Sequence, residues 1–164
     1  MQQMSPNSLK AGDVVGRRYV VLRHLRDEPC GSIWLAQDRS LMVDVGLKFL
    51  PRQSPHFEVA REALRREGAL ALKLRHPHIL QVIHFEEGEE GVCLIQEPFL
   101  GESLLGHLNR LERFRLPYAL GLLEQAAQAL GVAHRHHEVH QSLDPSNFLL
   151  EEDTVKLTNF ACPP

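Results

Sequence analysis

No run of about 20 consecutive apolar residues, the length a helix needs to cross a bilayer, occurs in this 164-residue chain, so no membrane insertion is expected. The opening Met1-Gln2-Gln3-Met4-Ser5-Pro6-Asn7 lacks the charged and apolar regions of a signal peptide, which makes a cytoplasmic location the default. Cysteine is scarce. Cys30, Cys93 and Cys162 are odd in number and follow no metal-ligand spacing, which favours reduced thiols over disulfides or a zinc site. Excess charge of one sign is also lacking: 18 Lys and Arg against 21 Asp and Glu give a net −3, with the basic residues scattered, which speaks against a nucleic-acid surface. There is no internal repeat and no low-complexity tract. What remains is 43% hydrophobic and 24% charged, ordinary core material for one domain with room for two lobes.

Periodicity divides the chain. Tyr19–Leu25, Ser32–Asp38 and Met42–Leu50 carry β-branched and aromatic residues between Gly, Asp and Arg, which predicts a meander of antiparallel strands. From Pro55 to Leu74 the period changes. Val59, Leu64, Leu70, Leu72 and Leu74 among Arg and Glu predict a helix, interrupted near Gly68, where glycine costs about 1 kcal/mol against alanine. Ile79–Glu86 and Val92–Glu97 flank a charged turn and read as a hairpin. Ser103–Leu111 reads as a short helix, and Pro117–His136 as a long one with proline in its first turn. Leu149–Glu152 and Thr154–Leu157 suggest a last small hairpin.

The long helix has more apolar surface than one covered face requires. Leu116, Leu120, Leu123, Ala126, Ala127, Leu130 and Ala133 form a stripe, widened by Leu122, Ala129 and Val132. The surplus predicts an exposed patch on helix 117–136 that a protein partner or a second copy covers.

Chemistry-bearing motifs follow one another in a recognisable order. Leu25-Arg26-Asp27-Glu28-Pro29-Cys30-Gly31-Ser32-Ile33-Trp34-Leu35-Ala36 aligns with Gly-x-Gly-x-x-Gly-x-Val through Gly31 and Ile33. Val45-Gly46-Leu47-Lys48 resembles Val-Ala-Ile-Lys. Arg65-Arg66-Glu67 precedes His76-Pro77-His78-Ile79, and Val92 to Leu104 reads as a strand and hinge with Gln96, Glu97 and Phe99 at its edge. His140-Gln141-Ser142-Leu143-Asp144-Pro145-Ser146-Asn147 resembles His-Arg-Asp-Leu-x-x-x-Asn, and Asn159-Phe160-Ala161 resembles Asp-Phe-Gly. The chain is thereby identified as similar to the protein kinases, and specifically to the bacterial, eukaryotic-like Ser/Thr kinases.

That resemblance implies an α+β, protein kinase-like fold: an antiparallel-sheet N-lobe with its C helix, then a truncated helical C-lobe ending just after the Asp-Phe-Gly-equivalent segment. The implied divisions are an N-terminal extension at 1–11, an N-lobe with hinge at 12–100 and a C-lobe portion at 101–164. It also implies roles. Lys48 matches the lysine that contacts nucleotide phosphates, and Glu67 its helix partner. Glu97 and Phe99 match the adenine edge, Ile33, Gly46 and Leu149 the adenine sandwich, and Asn147 and Asn159 the metal-binding positions.

The departures fall on the catalytic positions. Ser142 stands where the proton-accepting aspartate belongs, Asp144 where a lysine commonly steadies the transferred phosphate, and Asn159 where a magnesium-binding aspartate belongs. Arg26 and Glu28 replace two glycines that let backbone amides approach phosphates. A carboxylate at Glu28 would repel a triphosphate, by about 1 kcal/mol at 4 Å in full solvent. The expectation is therefore a pseudokinase, not an enzyme, with no catalytic residues, no metal, and no cofactor beyond weakly held ATP and magnesium at a vestigial site of Lys48, Glu67, Glu97, Phe99, Asn147 and Asn159. The chain's stop at Pro164, before the segments with which family members bind substrate peptides, points the same way.

Three functions are open on these grounds: a protein-interaction scaffold or regulatory subunit of a larger assembly, a nucleotide-binding switch without phosphoryl transfer, and an enzyme with rearranged nucleotidyl-transfer chemistry. His134, His136, His137 and His140 invite a metal reading, yet they fall where a helix ends and a loop begins, which favours surface and structural roles. The kinase resemblance implies that His140 stacks internally with Phe160, Ala71 and Val82.

Overall fold

A computed structural model of the chain describes residues 9–110 and 113–160. Most of the N-terminal extension, Leu111, Ala161 and Cys162 lie outside the described residues. Two compact units emerge: residues 9–68 with 82–98, and residues 69–81 with 99–160. Residues 69–81 thus group with the second unit, although the sequence reading placed them in the first lobe.

The first unit is built on a six-stranded antiparallel sheet. Its strands are β1 (Val14–Val15), β2 (Tyr19–Glu28), β3 (Gly31–Asp38), β4 (Val43–Pro51), β5 (Val82–Glu87) and β6 (Gly91–Gln96), in the spatial order β1-β2-β3-β4-β6-β5. Alternation sorts their side chains. Val21, Trp34, Ala36, Val45, Leu47, Phe49, Cys93 and Ile95 pack into one core with Tyr19 and Val15. The opposite face carries a transverse row in register, Arg26 opposite Ile33, Ile33 opposite Lys48, and Lys48 opposite Leu94.

Helix α1 (Phe57–Lys73) runs without the interruption anticipated at Gly68. A methyl at Gly68 would stand 2.8 Å from Leu94 Cδ2, so the glycine lets helix and sheet approach closely and does not break the helix. The buried positions are Phe57, Ala63, Leu64, Glu67, Ala71 and, just past the helix, Leu74, while Val59 and Leu72 are exposed. Helical spacing from Leu64 to Glu67 to Ala71 therefore puts a carboxylate on the buried face.

The second unit has a three-stranded antiparallel sheet of β7 (Glu102–Ser103), β8 (Phe148–Glu151) and β9 (Thr154–Leu157), with helices α2 (Leu104–Arg110) and α3 (Leu116–Arg135). Backbone bonds from Leu80 N to Leu157 O and from Leu157 N to His78 O, both 2.9 Å, tie residues 78–80 to β9, which explains the grouping of 69–81. Helix α3 buries Leu122, Ala126, Ala129 and Ala133. Leu116, Leu120 and Leu123 are 70%, 55% and 62% exposed, and Ala127 is exposed with them. Their i, i+4, i+7, i+11 spacing makes one outward apolar stripe. Among the described residues no helix is long and apolar enough to cross a membrane.

Candidate functional site: a self-satisfied lysine and a kinase-type loop

In the first unit, the chemistry gathers on Lys48. Its side chain is fully buried, and its ammonium donates to Glu67 Oε2 at 2.7 Å. A second carboxylate, Glu28 Oε2, lies 3.0 Å from the same nitrogen. Arg26 Nε donates to the other oxygen of Glu28 at 3.0 Å, so two cations and two anions form one chain of contacts. Burial alone would push the Glu28 carboxyl up, but Lys48 and Arg26 outweigh it and hold the group below its ordinary value. Burial alone would likewise lower Lys48, and the two carboxylates outweigh it and raise it. Both shifts favour the charged forms of Glu28 and Lys48.

The strand geometry explains how Glu28 arrives there. Side chains at i and i+2 of a strand share a face, which places Glu28 beside Arg26 on the face that carries Lys48. Glu28 pairs with Gly31 across the hairpin. Gly31 has φ +141°, and a methyl there would stand 2.6 Å from the Phe49 carbonyl oxygen, so this last glycine of the motif has a local structural reason to be glycine.

In the second unit, residues 140–147 keep the loop shape without the acidic side chain. Asn147 Nδ2 donates to the backbone carbonyl of Ser142 at 2.7 Å, a bond indifferent to the side chain at 142. Asn159 Nδ2 donates to Asn147 Oδ1 at 2.8 Å. Asp144 caps the short 3-10 turn 145–147 by accepting from Ser146 N at 2.9 Å and Ser146 Oγ at 2.7 Å, contacts that hold its carboxyl below the usual range. His140 Nε2 is 2.9 Å from Thr158 O, and its ring centroid is 4.5 Å from that of Phe160. Burial pushes its pKa down, so it is held neutral. The internal pairing of His140 with Phe160 is as anticipated, and Ala71 and Val82 are buried.

Of the sequence-predicted residues, the structure brings Lys48 to Glu67, and separately Asn147 to Asn159. Glu97 follows β6, half-buried, while Phe99 packs with Leu80 and Leu149 in an apolar cluster of the second unit. Gly46 is held small by β6, since a methyl there would meet Gln96 Cγ at 2.9 Å. His134, His136 and His137 are exposed, and no group of three or more side chains able to hold a metal ion occurs among the described residues. Cys93 is free and buried, its thiol pushed up to about 12 by burial and then by Glu86. Cys30, contrary to the expectation of reduced thiols, is disulfide-bonded.

The residue that sequence reasoning missed is Glu28 as a partner of Lys48; it was read only as a charge that repels phosphate. The opposite charges two residues apart on one strand, Arg26 and Glu28, were the available signal. As arranged, these side chains do not fit nucleotide phosphates with magnesium. Lys48 already carries two carboxylates, and the metal-position pair consists of two neutral amides bonded to each other.

Comparison with known proteins agrees with the motif order. Residues 29–162 match the protein kinase domain model. The chain is 32% identical over 163 residues to the serine/threonine-protein kinase PknA of Mycobacterium tuberculosis, covering 96% of this chain and 37% of that protein. It is 26% identical over 150 residues to the serine/threonine-protein kinase PrkC of Bacillus subtilis, covering 91% and 23%. Among solved structures, the M. tuberculosis PknI kinase domain superposes with a TM-score of 0.77 at 26% identity, covering 94% of this chain and 62% of that one. The chain thus spans little more than a third of the length of PknA and less of PrkC. These relatives overturn the expectation that the chain is not an enzyme: the proteins it resembles over nearly its whole length are named as kinases. That expectation rested on a handful of positions, whereas the resemblance rests on the full frame. With the sheet, the Lys48–Glu67 pair and the loop at 140–147 in place, the chain belongs to the protein kinase family.

Proposed function

We propose that this chain is a regulatory, protein-interaction member of the kinase family, working inside a larger assembly through the outward face of α3. The single observation that carries this reading is the stripe Leu116, Leu120, Leu123 and Ala127, whose three leucines are each more than half exposed. Contiguous exposed apolar surface of that kind marks interaction sites on soluble proteins. The kinase-type frame gives the stripe a rigid support, because Leu122, Ala126, Ala129 and Ala133 anchor the other face of the helix.

The test is a charge placed on the stripe. Leu120→Glu with Leu123→Glu leaves the buried face of α3 untouched, so folding is expected to persist by circular dichroism. Crosslinking in the native host is expected to trap a protein partner or a second copy with the unaltered chain and to lose it with the double variant. Equal crosslinking of both chains would remove the stripe from the interface.

A further inference from the structure

Arg26 and Glu28 were read from sequence as two separate losses from a phosphate-binding loop. Their geometry is that of one compensated replacement. We propose that Glu28 is a tethered anion that takes the side of Lys48 which family resemblance reserves for nucleotide phosphate, with Arg26 as its counter-ion. The first unit thereby carries its own autoinhibitory contact.

Three observations converge. The ammonium of Lys48, fully buried, faces two carboxylates at 2.7 and 3.0 Å, so a second anion already stands beside it where only Glu67 is expected from the family resemblance. Glu67 is carried by helix α1, whereas Glu28 is the last residue of β2, beside the hairpin turn, so the two carboxylates reach Lys48 from different elements. Charge balance supplies the third. Lys48 between Glu28 and Glu67 would leave one buried negative charge uncompensated, a costly state, and Arg26 at 3.0 Å from Glu28 brings the sum to zero. A carboxylate that served only as a hairpin surface residue would need neither the lysine nor the arginine; the Glu28 side chain is only 6% exposed.

The inference is independent of the interaction role of α3 and is tested by nucleotide binding. Calorimetric titration with ADP and with ATP, each with and without magnesium, compares the unaltered chain with Glu28→Gln, Glu28→Gly and the double variant Arg26→Gly with Glu28→Gly. Glu28→Gln keeps the shape of the side chain and removes only its charge, which guards against a variant that fails to fold. Removing a like charge from the phosphate side of Lys48 is expected to tighten binding about tenfold or more, with Lys48→Met abolishing the gain. Equal affinity of the unaltered chain and the Glu28 variants would overturn the proposal. So would the absence of binding in every variant, since Glu28 would then not be what keeps the nucleotide out.

Discussion

Lys48 does structural work in this protein whatever it binds. Replacing it by methionine removes the cation that Glu67 and Glu28 share and leaves Glu28 to Arg26 alone, and breaking a buried pair from one side costs about 3–5 kcal/mol. Lys48→Met is therefore expected to lower the urea midpoint markedly in the absence of any ligand; an unchanged midpoint would mean that the lysine matters only to nucleotide. Cys93 gives a second check at this scale. Its thiol, buried and raised to about 12, is expected to resist iodoacetamide at pH 8 until denaturant is added. Lys48, Glu67, His140 and Asn147 were legible in the sequence because their neighbours form spaced motifs. The engagement of Lys48 by Glu28 was not, because it depends on which strand face a side chain takes and how far a carboxylate reaches across it.

Among the elements, the hairpin of β2 and β3 delivers Glu28 and depends on Gly31. With φ +141° and the Phe49 carbonyl 2.6 Å from a would-be methyl, Gly31→Ala is expected to destabilise the chain by about 1–3 kcal/mol, read as a loss of denaturation midpoint. Strand positions were largely legible from alternation, with ends displaced by a few residues. The two-residue strands β1 and β7 were not, since two residues carry no period. Helix α1 was anticipated with the wrong punctuation: Gly68 read as a break is a close approach to Leu94. In α3 the apolar surplus was legible, but its division was not. The face that packs is Leu122, Ala126, Ala129 and Ala133, and the outward one begins at Leu116.

For the molecule as a whole, acid is the informative variable. His140 is held neutral by burial, so its folded pKa lies below the ordinary 6.5, and the unfolded chain binds the proton first as pH falls. Its contribution to stability is complete above pH 6.5 and is lost as pH drops below it. The urea midpoint is thus expected to fall between pH 7.5 and 5.5, with a smaller fall in His140→Phe, which keeps a ring but cannot titrate. Glu28, held below its ordinary 4.5, adds a further loss only below that pH. The kinase-type frame is the part of this account that sequence and comparison share. The role in assembly rests on the stripe of α3, and the mass of the intact assembly, purified under native conditions from the host, tests it most directly. A mass above that of one polypeptide, with a second chain in fixed ratio, is the expected result; a lone monomer would contradict it.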